Sequence, residues 1–190
     1  MENEMHDISD LQLMSRLASG EDLALNVLMD RWAKRLNAFL YRMTGQHEVA
    51  VDLTQEAFVR LYKARKRFRP KGVFSTYLFS IAANLGRNHA RWKSRHPTVS
   101  LDATSEDGRP LVHEVSDPSQ GPDEHADSAE RYEQVRRAIV ALPQDLREAI
   151  SLFVYEGMSY SEIAELADCS AKAVETRIYR ARQLLKGILS

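Results

Sequence analysis

The chain has 190 residues, 44% of them apolar, which suits one ordinary domain or two small ones and excludes wholesale disorder. The net formal charge is −1, and the single cysteine, Cys169, excludes an internal disulfide and suits a reducing compartment. The first ten residues lack the apolar core of a secretory signal, and apolar stretches such as 152–155 are far too short to span a bilayer, so the chain reads as soluble and cytoplasmic, with no membrane insertion.

Helical periodicity dominates and no run alternates at period two, so the expected fold class is all-α. Leu11, Met14, Leu17 and Ala18 repeat at helical spacing. A second helix is predicted over about 23–43, with Leu25, Leu28, Met29, Trp32, Leu36, Phe39 and Leu40 on its buried side and Thr44-Gly45-Gln46 as its stop. A third begins near Glu48 and carries Leu53, Ala57, Phe58 and Leu61 inward. Phe68-Arg69-Pro70-Lys71-Gly72 breaks the pattern, as Pro and Gly do. A fourth helix follows over about 75–95, with Leu78, Ile81, Ala82, Leu85 and Trp92 on one face. From His96 to about Ser128 the periodicity is lost among four prolines, two glycines and an acidic excess, which reads as a flexible or extended linker, mobile in the free protein. Helices resume at about 129–142, 144–155, 160–166 and 171–188. The predicted organisation is therefore a helical domain over 1–96, a linker over 97–128 and a smaller helical domain over 129–190.

Charge is segregated along this plan. Residues 1–58 hold ten acids against five Lys/Arg, residues 59–96 hold eleven Lys/Arg and no acid, and residues 97–130 hold nine acids against Arg109 alone. The basic block also contains Tyr62, Phe68, Phe74, Tyr77, Phe79 and Trp92. Cations for phosphates and aromatic faces for stacking are what single-stranded nucleic acid requires. A solvated charged face is the other reading of the same block.

Near the C-terminus, 157–182 read GMSYSEIAELADCSAKAVETRIYRAR. Gly157 ends one helix, and Ser159 with Glu162 forms a capping box that starts the next. Asp168-Cys169-Ser170 makes a tight turn, and Ser170 is a good N-cap for the last helix. Val174, Ile178, Ala181 and Leu185 recur on one side of that helix, leaving Lys172, Glu175, Thr176, Tyr179, Arg180 and Gln183 toward the other. Such a pair of helices is a helix-turn-helix, whose second helix enters the major groove. An ordinary helical hairpin with a charged surface would show the same pattern.

The segment LPQDLREAISLFVYEGMSYSEIAELADCSAKAVETRIYRAR resembles region 4 of extracytoplasmic-function (ECF) sigma factors, the group IV members of the sigma-70 family. VDLTQEAFVRLYKARKRFRP, followed by FSTYLFSIAANLGRNHARWKSR, is similar to region 2 of the same family. The two likenesses lie in the family's order, on either side of a linker. They imply a region 2 bundle over 1–96 that binds core RNA polymerase and recognises and melts the −10 element, and a region 4 domain over 129–190 that reads the −35 element. In the third helix Asp52, Gln55 and Glu56 match the face that meets the polymerase β′ clamp, and the β flap is the second implied contact. In the fourth, Asn84, Arg87, Asn88, Arg91 and Arg95 match the stripe along the non-template −10 strand. There Asn84 and Asn88 meet an unstacked base whose pocket is built by Phe68 and the loop through Phe74; a base is readable on its Watson–Crick edge only once it leaves the stack. Lys172, Glu175, Thr176, Tyr179 and Arg180 match the −35 face. Two positions depart from the family pattern: Glu175 stands where Arg or Lys is frequent, and Tyr77 where Trp is frequent. A carboxylate can accept from cytosine N4 but cannot favour a phosphate, so the family's −35 sequence does not transfer. The resemblance also implies control by an anti-sigma factor.

Two other readings remain open at this point. A helix-turn-helix regulator with a sensor domain would bind DNA without polymerase, but it needs an enclosed apolar pocket. A nuclease needs a metal site, yet the six histidines include no H-E-x-x-H pair and the basic block has no carboxylate cluster for Mg²⁺. No metal, cofactor or catalytic residue is therefore expected, and the chain is not read as an enzyme.

Overall fold

A computed structural model describes residues 8–68, 73–96 and 122–189, the side chains of 122–129 excepted. All regular structure among the described residues is helical, as expected. In chain order the helices are α1 (Asp10–Ser19), α2 (Leu23–Thr44), α3 (His47–Ala64), α4 (Phe74–Arg95), α5 (Pro122–Ala141), α6 (Gln144–Tyr155), α7 (Tyr160–Leu166) and α8 (Ala171–Leu189).

Local chemistry sets the ends. Ser9 and Gln12 form a capping box at α1, and Ser159 and Glu162 form the expected one at α7. Ser170 Oγ accepts from the Ala173 amide, 3.1 Å, at the start of α8. Gly45 closes α2 at φ 72°, a left-handed conformation that a side chain would strain, and its amide returns to the Tyr41 carbonyl. Gly157, at φ 68°, turns the chain between α6 and α7.

In the first unit α2 packs against α1, α3 and α4. Leu28, Leu36, Phe39, Leu40, Phe58, Leu61, Leu78, Phe79 and Ala82 are buried there. Trp32 meets Phe74 and Phe79 edge-on, and Phe79 meets Phe39 the same way, with centroids 5.4–6.2 Å apart. Edge contacts set the positive rim of one ring against the negative face of the next. In the second unit α8 crosses α6 and α7, burying Leu146, Ile150, Leu152, Ile163, Val174, Ile178 and Ala181. The two units also touch: α2 lies against α5 and α6, and α4 against α6 and α7.

Three expectations change. In α1 the buried stripe is Leu13, Met14 and Leu17, while Leu11 faces out. Trp92 is 55% exposed and stacks on His96, at an end of α4 where every residue from 91 to 96 is exposed. Finally, α5 begins at Pro122, within the stretch read as linker. Proline is well tolerated in a first helical turn, where its missing amide has no partner to lose. The rest of the expected linker, 97–121, lies outside the described residues.

Removing the ring that joins both sides of the aromatic cluster, Phe79→Ala, is expected to cost about 3–5 kcal/mol. Ser159→Ala is expected to cost about 1 kcal/mol. Denaturant unfolding followed by far-ultraviolet circular dichroism measures both, and a Ser159 effect equal to the Phe79 effect would contradict this ranking.

Candidate nucleic-acid interface

Helix α4 presents the polar stripe expected of it. Asn84, Asn88, Arg91 and Arg95 are exposed and Arg87 is half-buried. The stripe is internally ordered: Arg87 donates to Asn84 Oδ1 at 2.5 Å, and Arg91 donates to Asn88 Oδ1 at 2.8 Å. Each asparagine is thus held by the arginine one turn later, which limits the rotamer freedom a ligand would otherwise have to freeze. Phe68 is half-buried and leans on Tyr77, with centroids 4.9 Å apart. Phe74 is only 3% exposed, and its ring belongs to the core against Trp32. Residues 69–72, between these two phenylalanines, lie outside the described residues.

On α3 the core takes Thr54, Ala57, Phe58 and Leu61. Asp52 and Gln55 are exposed, and Glu56 is half-buried. The hydrogen bond from Arg60, 2.8 Å, holds the Glu56 carboxyl below the usual carboxylate range. The three residues stand at i, i+3 and i+4, and so share one helix face.

On α8, Lys172, Glu175, Thr176, Tyr179 and Arg180 are all exposed. Lys172 pairs with Glu175 at 2.8 Å, and Thr176 Oγ1 donates to the Lys172 carbonyl at 2.9 Å. The departing residue Glu175 therefore has a cation beside it on its own helix. These side chains, other than Arg180, border a shallow depression of about 430 Å³ that Tyr160 and Arg182 complete. Neither of those two was singled out from sequence; Tyr160 sits one residue after the cap, where periodicity alone does not tell a packing ring from a bordering one.

Sequence reasoning also missed a set of polar contacts between the units. Arg87 donates to Glu148 of α6 at 2.5 Å, and Thr76 donates to Glu162 of α7 at 3.2 Å. Glu156, just past α6, takes Arg42 at 2.9 Å and Arg35 at 3.1 Å. Arg147 donates across to the Met43 carbonyl at 2.6 Å and locally to Leu142 at 2.8 Å. Burial pushes the Glu148 carboxyl up, with Arg87 pulling down less strongly, and does the same to Glu156 against Arg42 and Arg35. Burial likewise lowers Arg42. A groove of about 400 Å³ runs between α4 and α7, with Thr76, Tyr77, Ser80 and Asn84 on one wall and Glu162 and Glu165 on the other. The available signals were an arginine inside the apolar run Leu36-Phe39-Leu40-Met43 and a glutamate beside Ala149 and Ile150. Neither signal says which partner answers it.

Among the described residues no cluster of three or more His, Cys, Asp or Glu is placed to hold a metal ion, and no helix is long and apolar enough to cross a membrane.

Comparison with known proteins agrees with this architecture. The model of the family described as Sigma-70 region 2 matches residues 28–96, and that of Sigma-70, region 4 matches residues 132–185. The chain is 31% identical over 183 residues to the ECF RNA polymerase sigma-E factor of Haemophilus influenzae, covering 94% of each. It is 33% identical over 178 residues to the RNA polymerase sigma-H factor of Pseudomonas aeruginosa, covering 93% of this chain and 91% of that protein. The solved structure of CnrH in complex with the cytosolic domain of CnrY superimposes with a TM-score of 0.69 at 26% identity, covering 95% of this chain and 96% of that one. With both sigma regions matched in order and relatives aligned over nearly their full lengths, the chain belongs to the ECF sigma factors, the promoter-specificity subunits that direct RNA polymerase to initiate transcription.

Proposed function

We propose that the chain divides promoter reading among three surfaces. The domain over 1–96 binds core polymerase through Asp52, Gln55 and Glu56, and reads the −10 strand through Asn84, Arg87, Asn88, Arg91 and Arg95, with Phe68 at the base pocket and Phe74 bracing it from the core. The domain over 129–190 reads the −35 element through Lys172, Glu175, Thr176, Tyr179 and Arg180. The residues between are the connection that lets the two domains span a promoter, and β flap contact falls to the second domain. The protein works in the cytoplasm beside the polymerase as a specificity subunit, with no catalysis and no cofactor of its own. An anti-sigma factor governs its release; CnrH, a structural likeness spanning nearly the whole chain, was solved in complex with the cytosolic domain of CnrY.

The ordered Asn–Arg pairs on exposed α4 carry the reading. Phosphates need cations, and a base lifted from the stack needs fitted donors and acceptors to recover an unstacking cost of a few kcal/mol. Both groups occur here at one-turn spacing beside an aromatic ring. A protein-only helical surface has no need of that combination.

Core polymerase is expected to initiate at a specific duplex promoter only when this chain is added; run-off transcription on genomic upstream fragments tests this, and silence on all of them sinks the reading. Asp52→Arg should weaken core affinity about tenfold or more without loss of helicity, since like charges brought together across an interface cost several kcal/mol. An unchanged titration with core would leave that face merely solvated.

Asn84→Ala and Asn88→Ala should relax −10 discrimination on duplex and pre-melted templates alike. Arg180→Ala should cost about 1–3 kcal/mol in closed-complex formation, and should be bypassed on a pre-melted template lacking a −35 element. Identical profiles for Asn84→Ala and Arg180→Ala on both templates would refute the division.

A further inference from the structure

Trp92 takes no part in the first helical core, and 55% of it is exposed, in a turn of α4 where residues 91–96 all face solvent. A single exposed aromatic is ordinary on a protein surface. This one is built into its surroundings. The His96 imidazole lies on the indole, with centroids 4.9 Å and planes 22° apart, and the His89 ring stands one turn earlier, with centroids 6.4 Å apart. His96 is itself fastened: its amide donates to the Trp92 carbonyl at 3.0 Å, and its Nδ1 lies 3.0 Å from the same oxygen. The indole is thereby braced, so a ligand has less side-chain freedom left to freeze.

Its place on the helix says what such a ligand would be. Asn84, Asn88, Trp92 and the capping residue His96 follow at four-residue intervals, so they run in one stripe along α4. Exposed Arg91, Lys93 and Arg95 flank the ring, and no acid occurs anywhere in 59–96. A nucleic-acid strand answers both features, with phosphates for the cations and bases for the ring. An acidic protein surface would answer the cations and leave the indole without a stacking partner. The step from Asn88 to Trp92 is about 6 Å along the helix axis, whereas stacked nucleotides stand about 3.4 Å apart. Neighbouring bases that meet both residues have therefore left their stack, which points to a single strand and not a duplex.

We propose that Trp92, braced by His96, is a stacking shelf for a second base of the opened strand, next to the base met by Asn84 and Asn88. The inference rests on the assignment of α4 as the −10 helix. The two positions differ in kind. An asparagine matches donors and acceptors on a base edge and so discriminates. An indole takes any base, because every base has a π face. The shelf adds affinity for an open strand without adding sequence preference, and it favours the melted state, since a base still paired and stacked in the duplex is not available to it.

The test uses polymerase reconstituted with the full chain, and pre-melted templates of a promoter that it uses, each lacking one base of the opened strand in turn. On the intact strand Trp92→Ala should weaken binding about 5- to 150-fold, and Trp92→Phe much less. At one abasic position, and only there, the unmodified and Trp92→Ala proteins should bind alike, because ring and base have lost the same contact. Asn84→Ala should keep its full effect on that template. Exchanging the base at that position should change affinity about twofold at most. If Trp92→Ala binds the intact strand as tightly as the unmodified chain, the proposal is overturned. A loss of the same size on every abasic template overturns it as well, since that marks a structural role. Should Trp92→Ala fail to fold, Trp92→Leu, apolar but without a π face, decides in its place. Failure of the sigma assignment reads differently: the unmodified chain supports no initiation on any duplex promoter, and the shelf falls with it.

Discussion

An arginine buried near the end of a long apolar helix constrains much of the rest of the molecule. Arg42 lies among Phe39, Leu40 and Met43, which pack into the first helical core. Its guanidinium cannot stay there without an acceptor, since an unpaired buried charge costs several kcal/mol. Glu156 supplies the acceptor at 2.9 Å, and the Tyr155 ring supplies a face 4.0 Å from the guanidinium carbon. Both come from the second unit. The first core is therefore completed electrostatically by a chain segment more than a hundred residues away, and the placement of α6 against α2 follows from that need. Once α6 is there, Glu148 falls opposite Arg87, and α7, tethered through Gly157, falls over α4.

Helix existence was legible because it depends on local chemistry. The capping box at Ser159, the stop at Gly45 and the 144–155 and 160–166 boundaries follow from residues within one turn of each other. What was not legible depended on distance. Trp92 reads as a core residue on period alone, yet it emerges into solvent because periodicity does not say which turns of a helix are covered. Leu11 and Leu13 compete for the inward face of a short amphipathic helix, and the packing of α2 decides between them. The start of α5 was hidden by prolines and acids that argue against helix in general, although Pro122 sits where proline costs least.

The site shows the same division. That Asn84, Arg87, Asn88, Arg91 and Arg95 share a face is simple arithmetic at 3.6 residues per turn. That Arg87 is bound by Glu148 could not be read from either helix, because each looks locally like an amphipathic helix with several ordinary charges. The sequence does carry the tension in another form. A block of eleven bases with no acid needs anions, and the acids lie elsewhere in the chain. Segregation of that kind guarantees intramolecular attraction before any specific contact is chosen.

That attraction explains why specificity here requires more than charge. A strongly basic helix free in solution would take any nucleic acid, because phosphate contacts carry affinity and no sequence information. A carboxylate held against Arg87 is a competitor that random phosphates must displace, one contact at a time. If α4 reads the −10 strand as proposed, a promoter strand offers more than phosphates: an unstacked base for Asn84 and Asn88 to meet. Glu148 on Arg87 lowers the affinity of that arginine for every strand by a similar amount, so it leaves the ratio between strands unchanged. Discrimination between strands must therefore come from contacts that differ between them, at base edges, and not from the intramolecular ion pair.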